Sequence, residues 1–107
     1  MTKNIPLLKQ VLAHIEANPE TWRQDSWRCE TGFCFAGWTA ELTGAKWARP
    51  EKQLDPNVLR GDGESEHVAD YAQRVLGLEE NEADLLFSMF RTLDDLRRMV
   101  AEFEEDA

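Results

Sequence analysis

The sequence predicts an all-α fold, with about five helices in a compact single helical domain over residues 1–107. Apolar residues recur at helical spacing in several segments, and capping residues or glycines bound those segments. A chain of 107 residues can bury one modest hydrophobic core. We therefore expect one domain that is interrupted by one irregular loop, residues 45–64.

The first helix is predicted over residues 5–17. Its apolar residues recur every three or four positions, and Pro6 suits a first helical turn. The pair Asn18 and Pro19 ends the pattern, because proline disfavours helical continuation. The residues expected to face the core are Leu8, Val11, Leu12 and Ile15.

The second helix is predicted to begin at an N-cap on Thr31 and to run to about Leu42, with Gly44 as its C-terminal stop. Apolar side chains cover a wide arc of this segment, which predicts a central position in the fold. Cys34 would then lie in the first helical turn.

The irregular loop, residues 45–64, shows no sustained period and contains two prolines and two glycines. We expect it to include a short strand pair around Val58 and Leu59.

The third helix is predicted to begin at an N-cap on Ser65 and to end at Gly77, with Leu78 in the contact of a Schellman motif. The fourth helix is predicted over residues 80–90. Its inward residues are predicted to be Ala83, Leu86, Phe87 and Phe90.

The fifth helix is predicted to follow a capping box formed by Thr92 and Asp95. Residues 104–107 are expected to fray. The residues that this helix is expected to bury are Leu93, Leu96, Val100 and Phe103.

All four tryptophans and both cysteines lie between Trp22 and Trp47, so this segment is expected to organise the core. Cys34 near a helix N-terminus could be a reactive thiolate, but a thiol enzyme also needs a nearby base. A disulfide or redox switch between Cys29 and Cys34 is a second reading. The reading we favour is that both are structural thiols beside aromatic rings.

A zinc site is the remaining reading of the cysteines. Its candidate ligands are Cys29, Cys34, His14 and His67. The spacing of the cysteines is looser than in usual structural zinc sites, and the histidines are far apart in the sequence. We expect His14 on the polar side of the first helix and His67 in the first turn of the third, both as surface residues. We therefore predict no metal, no cofactor, no catalytic residue and no enzymatic activity.

The formal net charge is −9, and residues 79–107 alone carry ten acids against three arginines. This concentration of carboxylates argues against direct binding of nucleic acid, whose affinity comes largely from Lys and Arg. It is compatible with a basic protein partner.

The sequence contains no apolar run long enough to cross a bilayer and no signal-peptide pattern. The prediction is a cytoplasmic protein that does not bind membranes.

The segment from Trp27 to Trp38 contains the pattern Cys-x-Thr-x-x-Cys-x-Ala-Gly-Trp. With the segments 74–78, 82–87 and 92–96, it resembles a group of small uncharacterised proteins of actinobacteria and their phages. The resemblance implies a phage-encoded or phage-derived accessory protein and implies no particular activity. The motif positions are occupied by Cys29, Thr31, Cys34, Ala36, Gly37 and Trp38.

The function predicted from these observations is non-enzymatic binding of a host protein, with a basic partner favoured by the acidic C-terminal helices. The residues predicted to contact this partner are Asp94, Asp95, Glu102 and Glu105. Two other classes stay open: an acidic mimic of nucleic acid, and a zinc- or thiol-dependent protein that uses Cys29 and Cys34. Homodimerisation through exposed aromatic side chains is a further hypothesis.

Overall fold

A computed structural model describes residues 3–24, 33–52 and 55–106. The described chain is mostly α-helical and contains one short antiparallel strand pair, which confirms the predicted fold class. In chain order the elements are α1 (Ile5–Ala17), a 3-10 turn (Pro19–Thr21), α2 (Phe35–Leu42), β1 (Asn57–Leu59), β2 (Ser65–His67), α3 (Val68–Leu76), α4 (Glu80–Leu86) and α5 (Leu93–Asp106).

Helix α1 has the predicted bounds. The side chain of Asn4 accepts a hydrogen bond from the N–H of Leu7 at 3.2 Å, and Pro6 lies in the first turn. Asn18 ends the helix, and its N–H donates to the carbonyls of His14 and Ile15. The residues that α1 buries completely are Leu8, Val11 and Ile15.

Helix α2 begins later than predicted, because Cys34 is its N-cap and Phe35 its first residue. The predicted position of Cys34 within the first turn is therefore wrong, while Thr31 lies outside the described residues. The C-terminal prediction is confirmed: Thr43 is the C-cap, and Gly44 follows with φ +78°, a conformation that glycine adopts without steric cost.

The predicted strand pair is confirmed, and its second strand lies just beyond the predicted loop. β1 pairs with β2 in antiparallel register, with Val58 opposite Glu66. Ser65 belongs to β2, so the prediction that it caps α3 is wrong. His67 is the N-cap instead, and its Nδ1 accepts a hydrogen bond from the N–H of Ala69 at 3.0 Å.

Helix α3 ends in the predicted Schellman motif. Gly77 adopts φ +71°, and its N–H donates to the carbonyl of Arg74. The N–H of Leu78 donates to the carbonyl of Gln73 at 3.0 Å, and the Leu78 side chain is buried.

Helix α4 ends at Leu86, four residues earlier than predicted. In a continued helix the carbonyl of Leu86 would accept from the N–H of Phe90, but it accepts from the side chain of Gln24 at 3.0 Å. The N–H of Phe90 donates to the Ser88 hydroxyl at 3.3 Å. The prediction that Phe90 faces inward is wrong, because 80% of its surface is exposed, whereas Phe87 is buried as expected.

Helix α5 begins with the predicted capping box. The N–H of Asp95 donates to the Thr92 hydroxyl at 3.1 Å, and the N–H of Thr92 donates to the Asp95 carboxylate at 2.9 Å. The prediction that the C-terminus frays from residue 104 is wrong, because the helix continues to Asp106. Glu104 forms an ion pair with Lys9 of α1 at 3.0 Å, which joins the two helices at this end.

The main core contains buried residues from all five helices of the described chain. Of the four predicted core residues of α5, Leu96 and Val100 are buried, while Leu93 and Phe103 are half-buried against them. A second, smaller cluster joins α2, β1 and α3 and consists of Ala40, Val58 and Val68. Among the described residues, no helix is both long enough and apolar enough to cross a membrane.

Candidate functional site

A cavity of about 650 Å³ opens between α3 and α4, and we call it the acidic groove. Its volume lies in the range of about 300–1,000 Å³ that is typical of ligand-binding pockets. The side chains that determine its chemistry are Asp70 and Gln73 of α3, Glu80, Ala83 and Asp84 of α4, and Phe87 at the end of α4.

The spacing of residues in α4 explains why one face of this helix borders the groove. Glu80, Ala83, Asp84 and Phe87 are separated by three and four positions, so they lie on the same side of the helix. Ala83 and Phe87 are buried, while Glu80 and Asp84 are exposed. The groove therefore has an apolar floor and an acidic edge.

Three carboxylates of the acidic groove have no ion-pair partner among the described residues: Asp70, Glu80 and Asp84. The neighbouring Glu82, in contrast, pairs with Lys3 at 2.9 Å and caps the start of α4. No lysine or arginine occurs among the described residues that line the groove. The described lining of the groove therefore carries three carboxylates and no cationic side chain.

Gln24 is a buried amide that holds one wall of the groove in place. Its Nε2 donates to the carbonyls of Leu86 at 3.0 Å and Ser88 at 2.9 Å. Its Oε1 accepts from the indole N–H of Trp22 at 2.9 Å. Sequence reasoning missed this residue, because a glutamine between helices is ordinarily exposed and no local pattern marks it as buried.

Three exposed apolar side chains lie at the end of α4 and just after it, and we call them the apolar rim: Leu85, Met89 and Phe90. Their exposed fractions are 53%, 57% and 80% respectively. Met89 also lines the acidic groove, whereas Leu85 and Phe90 are near the groove only in the chain. Exposed large apolar side chains near a pocket are a feature of interaction sites.

Three aromatic residues of the Trp22–Trp47 segment, Phe33, Trp38 and Trp47, form a packed cluster. Phe33 lies edge-on to Trp38, with 4.9 Å between ring centroids, and stacks on Trp47 at 5.6 Å. The indole N–H of Trp38 donates to the Thr21 carbonyl, and that of Trp47 donates to the Glu41 carboxylate. Within the described part of the segment, the aromatic rings therefore pack as a scaffold.

Cys34 is a free thiol that is almost completely buried. Burial raises the pKa of the Cys34 thiol to about 11, although the backbone N–H groups of Gly37 and Ala36 act in the opposite direction. This is the reverse of the lowered pKa that a helix N-terminus was expected to produce. Cys29, the other half of the proposed disulfide or zinc site, lies outside the described residues.

His14 is not the surface residue that the sequence predicts. Its ring lies 4.2 Å from the ring of Trp38, between centroids, and is half-buried. The Nε2 atom is buried and has no hydrogen-bond partner among the described residues. The sequence pattern places His14 on the polar side of α1, but the side chain of Trp38 covers it.

His67 is likewise half-buried, as the N-cap of α3. Within the described ranges, no group of three or more histidine, cysteine or acidic side chains is arranged to hold a metal ion. The zinc hypothesis for His14, His67, Cys29 and Cys34 receives no support from the described ligands, and Cys29 is not among them.

The four acids predicted to bind a partner all lie on α5, in different environments. Asp94 is exposed and pairs with Arg97 at 2.7 Å. Asp95 is half-buried, forms part of the capping box and pairs with Arg98 at 3.0 Å. The N–H of Thr92 holds the pKa of Asp95 below its usual range. Glu102 and Glu105 are exposed.

No protein-family model, curated protein or solved structure matches this chain. The functional proposals therefore depend on the chemistry of the described surface.

Proposed function

We propose that this chain is a non-enzymatic accessory protein that acts in the cytoplasm by binding another protein. The binding surface that we propose consists of the acidic groove and the apolar rim. The observation that carries the proposal is the exposure of Phe90, which directly follows Met89 of the acidic groove in the chain. Burial of a phenylalanine side chain contributes about 1.5–3 kcal/mol, so a partner that covers Phe90 would gain substantial binding free energy.

The resemblance to small actinobacteriophage proteins supports a host protein as the class of partner. The net charge of −9 supports a basic one, because complementary charge accelerates association. The four acids of α5 would add long-range attraction. They are less suited to the centre of an interface, since Asp94 and Asp95 already form ion pairs within the helix.

The two other hypotheses have weaker support. A mimic of nucleic acid needs a continuous face of unpaired carboxylates, but Arg97 and Arg98 interrupt the acidic surface of α5. A thiol-dependent reaction needs an accessible thiolate, and the burial of Cys34 opposes both accessibility and ionisation.

Capture of proteins from host lysate by variants of the apolar rim tests the proposal. We expect the double variant Leu85→Ser and Phe90→Ser to lose the proteins that the wild type captures, with little change in melting temperature, because both side chains are already exposed. Leu59→Ser is the matched control, because it removes another exposed leucine on β1. Capture should be quantified by mass spectrometry.

Retention of the same captured proteins by the double variant would contradict the apolar rim as the binding surface. A second arm replaces Asp94, Asp95, Glu102 and Glu105 with serine. If this variant loses capture while the rim variant does not, the acidic face of α5 is the binding surface instead.

A further inference from the structure

We infer that the acidic groove binds a short segment of the partner protein that carries a lysine or arginine beside apolar side chains. The inference rests on the proposed function and specifies the chemistry of the partner. It follows from three properties of the described surface: carboxylates without ion-pair partners, an apolar floor, and exposed apolar side chains of the rim that include Met89 at the edge of the groove.

The charge of the groove selects a cation. Asp70, Glu80 and Asp84 have no ion-pair partner among the described residues. All three side chains are exposed, so each would contribute a modest attraction to an incoming ammonium or guanidinium group. An acidic or phosphorylated segment would be repelled by the same groups.

The floor of the groove also favours apolar side chains in the bound segment. Ala83 and Phe87 form its apolar part, and Met89 lies at its edge with 57% of its surface exposed. Methionine adapts its shape to different ligands, which suits a surface that packs against aliphatic side chains. The stem of a lysine or arginine can lie along such a floor while its charged end reaches the carboxylates.

The apolar rim favours a protein segment over a small cationic molecule. Leu85 and Phe90 lie outside the residues that line the groove, yet they are close to it in the chain and exposed. A small molecule inside the groove would leave these side chains in water. An amphipathic helix or loop of a protein could cover the rim with apolar residues while placing a basic residue in the groove.

A defined peptide probe tests this inference without knowledge of the natural partner. The probe is a short synthetic helical peptide with leucine on one face and lysine on the other, titrated into the full-length ¹⁵N-labelled protein. Two matched peptides replace either every lysine with glutamate or every leucine with serine. We expect amide shifts of Ala69, Gln73 and Asp84 with the first peptide, and much weaker shifts with the other two.

Protein variants then identify the carboxylates that contribute. We expect Asp70→Asn with Asp84→Asn to weaken binding of the lysine peptide about fivefold, since each exposed charge pair is worth roughly a factor of two to three. The control, Glu102→Gln with Glu105→Gln, changes the net charge equally on α5 and should weaken binding less than about twofold. Thermal melts show whether both double variants remain folded.

Equal weakening by the two double variants, or shifts centred on α5, would overturn the inference by showing that net charge alone attracts the peptide. Equal binding of the serine peptide would overturn its apolar part. If the peptide fails to bind while the rim variant still loses its captured proteins, the proposed function stands and the groove chemistry is wrong. If neither experiment shows an effect, both proposals fail.

Discussion

Individual residues of this chain differ most from their sequence-based expectations where side chains from distant segments enclose them. The periodic pattern of α1 correctly predicts which residues face the core, but it places His14 on the polar side. Contact with Trp38 then buries much of the imidazole ring. Cys34 shows the same effect, because its position at a helix N-terminus favours a thiolate while its burial opposes one.

The raised pKa of Cys34 leads to a prediction about thiol reactivity. With Cys29 replaced by serine, Cys34 is the single thiol of the chain. A pKa of about 11 leaves roughly one thiolate per thousand molecules at a pH of about 8, compared with about one in four for an ordinary thiol. We expect labelling by a chromogenic disulfide reagent to be about a hundredfold slower in the native protein than in denaturant. Equal rates in the two states would contradict the buried position.

At the scale of elements, the helix ends that local hydrogen bonds determine lie where the sequence predicts them. The Schellman motif at Gly77 and the capping box of Thr92 and Asp95 form between residues only a few positions apart. The end of α4 depends instead on Gln24, whose bond to the Leu86 carbonyl spans 62 positions. No pattern within residues 80–90 contains that information, so the predicted helix was too long.

The capping box of α5 predicts two effects on stability, of which one depends on pH. Thr92→Ala is expected to lower the free energy of unfolding by about 1 kcal/mol, because the N–H of Asp95 loses its acceptor.

The pKa of Asp95 is lowered in the folded protein, so the stabilising effect of its carboxylate is complete above the unfolded-state pKa of about 3.9. That contribution disappears as pH falls through the lower folded-state pKa.

Thermal melts at several pH values test whether the contribution of Asp95 to stability disappears as pH falls. Asp95→Ala should melt a few degrees below the wild type at neutral pH, and the difference should narrow as the carboxylate is protonated. Glu102→Ala, an exposed acid on the same helix, should melt close to the wild type throughout. A difference for Asp95→Ala that stays constant into strong acid would show that the ionised carboxylate is not the stabilising form.

At the scale of the whole molecule, the packing of α3 and α4 forms a groove whose surface combines charge and apolar area. Asp70 and Asp84 lie on separate helices, and their common position depends on how α3 and α4 pack. The sequence identified the acidic C-terminal third correctly as a feature of composition. The sequence did not predict which of these carboxylates have no ion-pair partner. The fold decides this, because it places Lys3 beside Glu82, Arg97 beside Asp94 and Arg98 beside Asp95.

The same charge distribution predicts that the protein is a monomer at low ionic strength. The apolar rim could in principle pair with a second copy, but like charges beside it and a net charge of −9 oppose self-association. Light scattering coupled to size-exclusion chromatography should give a mass near 12.3 kDa. A dimer for the wild type with a monomer for Phe90→Ser would assign the rim to homodimerisation instead.

The sequence by itself determined the fold class, the bounds of α1, the C-terminal ends of α2 and α3 and the start of α5. These features depend on periodicity and on hydrogen bonds between near neighbours, both of which are local properties. Tertiary structure decided the length of α4, the exposure of Phe90, the burial of Cys34 and the formation of the acidic groove. Each of these depends on contacts between residues that are distant in the chain, and local sequence patterns do not encode those contacts.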